Sequence, residues 1–216
     1  MIDSLSEGAV HVWTLPLNVA ASGNAVAWRT AARVHARAKV REILGEYLDV
    51  APAEVSLERS TNGKPCLNSK LADGVEFSLS HSGAFALLAV MRHRPVGVDV
   101  ECVRSLRDPA SLAERFFEST EAARIRAFGS DDSHDAFFRT WARKEAYLKG
   151  VGGTVPAGLR RFEIDEDDRR LPIVACTDFE DGVRSVWTLR DLPAPVGYVA
   201  AVAVEGPIRR IEAFTL

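Results

Sequence analysis

The chain has 216 residues, 47% of them hydrophobic, and a formal net charge of -3 at pH 7. This apolar share is enough for a buried core, whereas the slightly acidic balance argues against a generic nucleic-acid binder, which normally carries a strong excess of Lys and Arg. The cysteines, Cys66, Cys102 and Cys176, form no CxxC pair, so neither a disulfide framework nor a zinc site is predicted and a reducing cytoplasm fits best. The first residues show no signal-peptide pattern and no apolar run reaches about 18 residues, so we expect neither export nor a membrane span.

Local sequence patterns predict an alternation of strands and helices along the chain. Alternating apolar positions indicate strands, and residues 25–48, which are rich in Ala, Arg and Leu and lack proline, indicate a long helix. The segment NGKP, residues 62–65, predicts a turn. A second helical region is predicted over 109–149. The predicted strands are 10–17, 53–60, 75–83, 85–91, 96–101, 160–166, 185–191 and 197–205.

The order of these elements predicts an α+β fold built as a tandem of two similar halves. Each half runs from a strand through a long helical region to further strands and a final apolar strand rich in small residues. The letters VWTL also occur twice, at 12–15 and 186–189, although a match this short can arise by chance. We therefore predict a pseudo-twofold arrangement of halves 1–95 and 96–216, with a ligand site in the cleft between them.

The segment RPVGVDVECVR, residues 94–104, places two acids on a strand that is otherwise rich in valine. Because side chains alternate along a strand, Asp99 and Glu101 share one face, separated by roughly 6.5 Å, while Val98 and Val100 share the other. Two such carboxylates raise each other's pKa unless a positive group lies between them, and a hard divalent cation meets that need. A half-buried edge strand with a solvated acidic face explains the same pattern equally well.

The segment FFRTWARKEAYLKGVGG, residues 137–153, places an acid within an apolar helical stripe. At helical spacing, Glu145 follows Trp141 and precedes Leu148 on one face. A buried charge needs a partner, which either Lys149, four residues later, or a metal ion would supply. A surface Glu–Lys pair at the helix edge is the alternative, with the glycines after Lys149 acting only as a helix stop.

The segment VEFSLSHSG ends in residues that suit an anion site. Ser80, His81, Ser82 and Gly83 end a predicted strand, where small hydroxyls, an imidazole and free backbone N–H groups can cradle a phosphate. A histidine that simply hydrogen-bonds within a turn is the alternative. A catalytic Ser–His pair is disfavoured because adjacent strand residues point to opposite faces.

Basic residues lie on the first predicted helix and in the turn that follows. The helix carries arginines at every fourth position, namely Arg29, Arg33, Arg37 and Arg41. An anionic partner would relieve the repulsion between them, and a solvated helix face balanced by Glu42 and Glu46 is the alternative. Lys64 lies in the turn, which is not a nucleotide P-loop because GKP lacks the upstream glycine and the following Ser or Thr.

Taken in order, the segments GKP, FSLSHSG, GVDVE and W..KEAYLKG resemble the signature series of the surfactin-type phosphopantetheinyl transferases. The similarity spans residues 29–153, and the order and spacing of the four motifs carry it rather than any one of them. The resemblance implies an enzyme that binds coenzyme A and Mg²⁺ in the cleft between two similar α+β halves. Such an enzyme transfers phosphopantetheine to a serine of an apo carrier protein and releases 3′,5′-ADP.

Carried over position by position, the resemblance assigns the Mg²⁺ ligands to Asp99, Glu101 and Glu145, with Mn²⁺ as an alternative ion. Glu145, directly or through a metal-bound water, is the expected general base. Lys149 is expected to contact the phosphates and to protonate the leaving group. The implied coenzyme A contacts are Arg33, Lys64, Ser80, His81, Asp99 and Lys149, with His81 at the 3′-phosphate.

One departure from the family pattern concerns this 3′-phosphate. Family members often carry Lys or Arg ahead of the first long helix, whereas no Lys or Arg precedes Arg29 here. We expect Arg29, Arg33 or Arg37 to compensate.

The resemblance also implies an acidic carrier protein as the partner. We expect it to dock on residues 112–128 and on the loop after Gly150, although at least one of Phe116 and Phe117 is expected in the core. The enzyme is expected to be a cytoplasmic monomer without nucleic-acid or membrane partners.

Two other function classes would use the same residues. A Mg²⁺-dependent nucleotide phosphohydrolase would employ the three acids with water as the nucleophile, and a non-enzymatic binding module would carry them as surface decoration. Only a transferase makes an apo carrier heavier by one phosphopantetheine. Only a ligand site predicts that coenzyme A and Mg²⁺ together raise thermal stability.

Overall fold

The computed structural model describes residues 5–17, 25–60, 63–152, 159–160, 162–164, 173–175 and 186–216. The strands are β1 Ala9–Pro16, β2 Leu57–Arg59, β3 Pro65–Leu67, β4 Val75–Ser82, β5 Phe85–Arg92, β6 Val96–Cys102, β7 Ile173–Ala175, β8 Val186–Leu192, β9 Tyr198–Glu205 and β10 Arg210–Thr215. The helices are α1 Ala25–Leu48, α2 Pro109–Phe116, α3 Ser119–Ala127 and α4 Ser130–Val151. The predicted α+β class is confirmed.

The first sheet has the strand order β10-β1-β5-β4 and carries α1 on one face. β1 pairs antiparallel with β5 and β5 with β4, whereas β10 lies parallel to β1. The helix buries a stripe of small and branched residues at helical spacing, namely Ala32, Ala36, Val40, Ile43 and Leu44. The opposite face of α1, which includes Arg33 and Arg37, is exposed to solvent.

The second sheet has the strand order β6-β9-β8-β7, with every pairing antiparallel. α4 packs over β6 and β9. The core between the helices and this sheet is rich in aromatic side chains, including Phe117, Phe137, Phe138, Tyr147 and Trp187. α4 therefore lies directly above the strand that carries Asp99 and Glu101.

A third apolar cluster joins the two sheets. Val10 and Val12 of β1 and Leu87 of β5 pack in one cluster with Val98 and Val100 of β6. The layers are therefore α1, the first sheet, the second sheet and the helices α2, α3 and α4. Because both faces of the sheets are covered, the central strands are apolar along nearly their whole length.

The last strand crosses between the predicted halves. Sequence patterns give no strand after residue 205, yet β10 follows β9 and completes the first sheet beside β1. Gly206, in the left-handed region with a φ of 76°, lies at the start of this crossing. The residues of 96–216 therefore contribute to both sheets.

Several predicted boundaries differ from the structure for local reasons. The helical region 109–149 is three helices, because Phe117 and Phe128 have extended backbone at the ends of α2 and α3. The strand expected at 53–60 is shorter, since residues 51–54 form a turn closed by the bond from Glu54 N to Ala51 O. The strand expected at 160–166 is wrong for residues 160 and 162–164, and its other positions lie outside the described residues.

Some short strands were not visible in the sequence patterns. These are β3, β7 and β10, which have three, three and six residues. Strands this short carry little periodicity of their own and are defined by their partners. Within the described ranges, no helix combines the length and the apolar character that crossing a bilayer requires.

Candidate active site

Two glycines allow α4 to lie close against β6. A Cβ atom on Gly97 of β6 would overlap the carbonyl oxygen of Ala146 and the backbone of Gly150, both on α4. A Cβ atom on Gly150 would in turn overlap the ring of Trp187. The helix ends as predicted, with Gly152 in the left-handed conformation at its C-cap. This close approach brings the last turns of α4 over the acidic face of β6.

Asp99 is almost completely buried beneath the helix, with 2% of its surface exposed. Its Oδ1 accepts hydrogen bonds from Ser80 Oγ and from Lys149 Nζ, each at 2.6 Å. Its Oδ2 is buried without a hydrogen-bond partner among the described residues. The reading of this strand as a solvated acidic face is therefore wrong for Asp99.

Glu101 and Glu145 flank Asp99 on the strand and the helix. Ser82 Oγ donates a hydrogen bond of 2.9 Å to Glu101 Oε2. The pKa of Glu101 is raised by burial and by the negative charge of Asp99, and Ser82 partly opposes this rise. Burial raises the pKa of Glu145 to about 7, the charge of Lys149 opposes that rise, and Asp99 and Glu101 add to it. The charge of Asp99 thus reaches both glutamates, and the charge of Glu101 reaches Glu145.

Lys149 does not form the surface pair with Glu145 that was the alternative reading. Its ammonium group bonds to Asp99 and, at 2.8 Å, to Ser80 Oγ. Glu145 is half-buried and has no hydrogen bond or ion pair within the described ranges. A half-buried carboxyl group with a pKa near 7 and no partner can accept a proton at neutral pH.

The donor set suits a hard divalent cation, but the side chains do not already form a metal site. Across the described part of the chain, no group of three or more His, Cys, Asp and Glu side chains has the spacing needed to hold an ion. The Lys149 ammonium already contacts Asp99 Oδ1. An oxygen-ligated cation would give the Oδ2 of Asp99 a partner and would offset the raised pKa values of Glu101 and Glu145.

The basic and hydroxyl residues adjoin this carboxylate cluster. Lys64 Nζ donates a 3.1 Å hydrogen bond to Val96 O, and burial lowers the pKa of Lys64. Lys64 and Lys149 both line a cavity of about 200 Å³. Lys149 thus links the carboxylate cluster to a cavity that also contains Lys64.

His81 and Ser80 diverge as strand alternation predicts. Ser80 is buried against Asp99, whereas the His81 side chain is exposed on the other face of β4. Partial desolvation lowers the pKa of His81, and the positive charges of Arg33 and Lys149 lower it further. His81 and Arg33 therefore lie near each other at the first-sheet side of the cluster.

The arginines of α1 have different surroundings and do not share one exposed surface. The Arg29 side chain lies outside the described residues. Arg41 Nε donates to Val55 O at 3.2 Å, which anchors it to the loop before β2. Arg37 and Arg41 line a second cavity of about 240 Å³ together with Arg59. Arg59 was missed because only the pairing of β2 with β3 brings it to α1.

A buried ion pair between α3 and α4 was also missed. Lys144 has no exposed surface, and its Nζ bonds to both Glu121 oxygens, at 2.8 and 2.6 Å, and to Phe162 O at 2.6 Å. Glu121 Oε1 also accepts from Ile164 N, which ties α3, α4 and residues 162–164 together. The segment RKEA gives no local sign that its lysine faces inward.

The predicted docking region contains both core and surface residues. Phe117 is fully buried and Phe116 partly so, in line with the expectation that at least one is core. Phe128 is 51% exposed at the end of α3, near a cleft of about 350 Å³ that it lines with Arg124 and Arg139. The lining of this cleft includes none of the candidate site residues. Of the loop after Gly150, residues 153–158 lie outside the described residues.

Comparison with known proteins adds an independent finding. The family model described as the 4′-phosphopantetheinyl transferase superfamily matches residues 95–203, and the one described as 4′-phosphopantetheinyl transferase, N-terminal, matches residues 29–93. The 4′-phosphopantetheinyl transferase HetI of Nostoc sp. is 38% identical, over 79% of this chain and 69% of its own. A phosphopantetheinyl transferase of Thraustochytrium sp. is 31% identical, over 78% of this chain and 62% of its own. A solved holo-(acyl-carrier-protein) synthase from Bacillus anthracis, in complex with CoA (3′,5′-ADP), is 19% identical with a TM-score of 0.39, over 52% of this chain and 96% of that chain.

Proposed function

The chain belongs to the 4′-phosphopantetheinyl transferase superfamily, and on that premise we propose that it transfers the 4′-phosphopantetheine moiety of coenzyme A to a serine of an apo acyl or peptidyl carrier protein. The observation that carries the proposal is the convergence of Lys149 and Glu145 of α4 on Asp99 of β6. Phosphoryl transfer needs positioning and charge neutralisation, and this cluster offers a cation, a candidate base and a buried carboxylate in one place.

Asp99, Glu101 and Glu145 would hold Mg²⁺, with Mn²⁺ as an alternative. The support is chemical: all three are oxygen donors, none of the ligand positions is His or Cys, and Asp99 Oδ2 has no partner among the described residues. Bound there, the ion would supply positive charge to the pyrophosphate of coenzyme A. The lysine that now bonds to Asp99 would remain available to the phosphates.

The chain's own residues would carry the proton transfers. The carrier serine hydroxyl attacks the phosphorus that bears the pantetheine arm, and its proton passes to Glu145, directly or through a water molecule. The phosphorus–oxygen bond to the nucleotide breaks, and Lys149 neutralises or protonates the departing phosphate. The products are a phosphodiester on the carrier and 3′,5′-ADP.

Arg33, Lys64, Ser80 and His81 would contact the nucleotide end of coenzyme A. The proximity of His81 to Arg33 supports a pair that meets the 3′-phosphate, because both side chains then face one anion. Arg33 would thereby compensate for the absence of Lys or Arg ahead of Arg29. Lys64 would lie at the cavity that also contains Lys149.

The surfactin-type subfamily and its tandem layout are part of this proposal. The pairing order supports an internal repeat, because β1-β5-β4 in the first sheet corresponds to β6-β9-β8 in the second, each antiparallel. We assign the halves to 1–95 and 96–216, with β10 as an addition that follows the second repeat.

The carrier protein would dock on residues 112–128 and on the loop after Gly150. Exposed Phe128 and the exposed arginines Arg115, Arg124 and Arg126 support an acidic partner with an apolar contact. The second half would then carry the docking surface, and both halves would line the cleft. One chain would therefore supply the complete site, and we propose a cytoplasmic monomer.

Intact mass spectrometry of apo carrier proteins tests the proposal directly. After incubation with coenzyme A and Mg²⁺, we expect at least one acyl or peptidyl carrier to become heavier by one phosphopantetheine, with an equal amount of 3′,5′-ADP. Hydrolysis of coenzyme A without carrier modification would replace the proposal with a phosphohydrolase. The absence of both reactions over a panel of carriers would overturn it.

A further inference from the structure

β4 and β6 are edge strands of different sheets, and serine side chains connect them. No ladder pairing joins the two strands in the described residues. Ser78, Ser80 and Ser82 alternate along β4 and therefore share one face, which is directed at β6. Ser78 Oγ accepts from Val98 N at 3.1 Å, and Ser82 Oγ accepts from Cys102 N, also at 3.1 Å. The hydroxyls thus take the place that a neighbouring strand's carbonyl oxygens would fill.

The Ser82 hydroxyl, in addition to accepting a hydrogen bond as Ser78 does, donates one to a carboxylate. A hydroxyl has one proton to donate, and Ser82 gives it to Glu101 Oε2 at 2.9 Å. Because the backbone N–H of Cys102 already occupies an acceptor position on the same oxygen, the hydroxyl has two fixed partners on adjacent residues of β6. Among the described residues, Ser82 is the hydrogen-bond partner that fixes the Glu101 carboxylate, and no other is found.

We propose that Ser82 is a positioning residue that holds the Glu101 carboxylate for the divalent cation, while Ser78 only joins the strands. The inference rests on the proposed function, because it assumes that Glu101 is a metal ligand. Carboxylates that bind metals are commonly fixed by such hydrogen bonds, and loss of one typically costs about 10- to 100-fold in metal affinity. Ser82 would act through Glu101 and would not touch the substrate.

The test compares Ser82→Ala with Ser78→Ala, which removes the same kind of bond to a β6 amide. Thermal unfolding is followed over a Mg²⁺ titration at a fixed concentration of coenzyme A, without carrier protein. We expect Ser82→Ala to raise the Mg²⁺ concentration at half-maximal stabilisation about tenfold. Ser78→Ala should lower the unfolding temperature of the ligand-free protein while leaving that midpoint near the wild-type value. Ser82→Thr, which keeps the hydroxyl, should restore the midpoint.

A kinetic readout separates positioning from general structural damage. The Mg²⁺ dependence of carrier modification should shift with the same ranking, while the rate at saturating Mg²⁺ changes less in Ser82→Ala. Equal midpoints for the two alanine variants would overturn the role of Ser82 and leave the proposed function intact. A wild-type protein that modifies carriers without any response to Mg²⁺ would overturn the inference through its premise, and failure of wild-type carrier modification would overturn the function itself.

Discussion

At the scale of single residues, the site is defined by the different environments of the two carboxylate oxygens of Asp99. Asp99 Oδ1 accepts from both Ser80 and Lys149, whereas Oδ2 has no hydrogen-bond partner in the described structure. A buried charge is normally fully partnered, because each missing hydrogen bond costs about 1–3 kcal/mol. Such an oxygen, beside two further acids with raised pKa values, is typical of a site built for a ligand.

Replacing Glu145 with Gln should abolish most turnover without unfolding the protein. We expect the rate of carrier modification to fall at least about 100-fold, the lower range for losing a general base. The fold should persist, since Gln fills the same space and removes a charge that burial disfavours. Intact mass spectrometry measures the rate of carrier modification, and a thermal melt measures the stability of the fold. Glu42→Gln on the exposed side of α1 is the control, and a Glu145→Gln variant of near-normal rate would contradict the assignment.

The ionisation of His81 should respond to both Arg33 and the nucleotide. Because its pKa in the folded state is below the ordinary value, the unfolded chain binds the proton more tightly, and His81 lowers the free energy of unfolding as the pH falls below about 6.5. Arg33→Ala should raise the pKa of His81 by removing a nearby positive charge, and Arg37→Ala should raise it less. Adding 3′,5′-ADP should also raise it, because a phosphate favours the imidazolium.

NMR titration of the His81 ring protons measures these values. An unchanged pKa in Arg33→Ala would show that the two side chains are not neighbours in solution. An unchanged pKa on addition of 3′,5′-ADP would place the 3′-phosphate elsewhere.

At the scale of elements, the site depends on how closely α4 approaches β6. Gly97→Ala should push the helix away, because the new methyl group would overlap the carbonyl oxygen of Ala146. We expect a loss of about 1–3 kcal/mol in the free energy of unfolding, together with a fall in turnover as Glu145 and Lys149 move from Asp99. Gly129→Ala is the matched control, since a Cβ atom there meets nothing within 4 Å. Chemical denaturation and carrier modification measure both effects, and equal behaviour of the two variants would contradict the packing argument.

The buried pair of Lys144 and Glu121 should be costly to break and easy to replace. Lys144→Met leaves the Glu121 carboxylate without its cation in the core, so we expect a loss of about 3–5 kcal/mol in the free energy of unfolding. The double variant Lys144→Met, Glu121→Leu removes both charges and should recover most of that loss. Lys39→Met, which breaks a surface pair with Glu42, should cost less than about 1 kcal/mol. A double variant as unstable as Lys144→Met would show that the hydrogen bonds of Glu121 to the backbone matter more than the charge balance.

At the scale of the whole molecule, the sequence predicted what depends on local pattern. Residues 25–48 form α1 as predicted, and β1, β4, β5, β6, β8 and β9 lie within a residue or two of their predicted bounds. Alternation correctly put Ser80 and His81 on opposite faces of β4. Long elements with strong periodicity are the features that sequence reasoning recovers best.

Features that depend on distant partners could not be predicted. β10 is a strand because β1 offers it an open edge, and Lys144 is buried because Glu121 reaches it from another helix. A solvated face for Asp99 remained an open alternative because the sequence does not reveal that α4 covers β6. The short contact of Lys149 with Asp99 rather than with Glu145 follows from the same packing.

Three acids from β6 and α4 are proposed to hold one cation at the coenzyme A pyrophosphate. A crystal structure with coenzyme A and Mn²⁺ tests this most directly, with diffraction data collected at a wavelength where manganese scatters anomalously. We predict one strong anomalous peak in contact with the carboxylates of Asp99, Glu101 and Glu145 and with pyrophosphate oxygens. Lys149 Nζ should contact a phosphate. Bound coenzyme A with these carboxylates facing apart, and manganese elsewhere or absent, would contradict it.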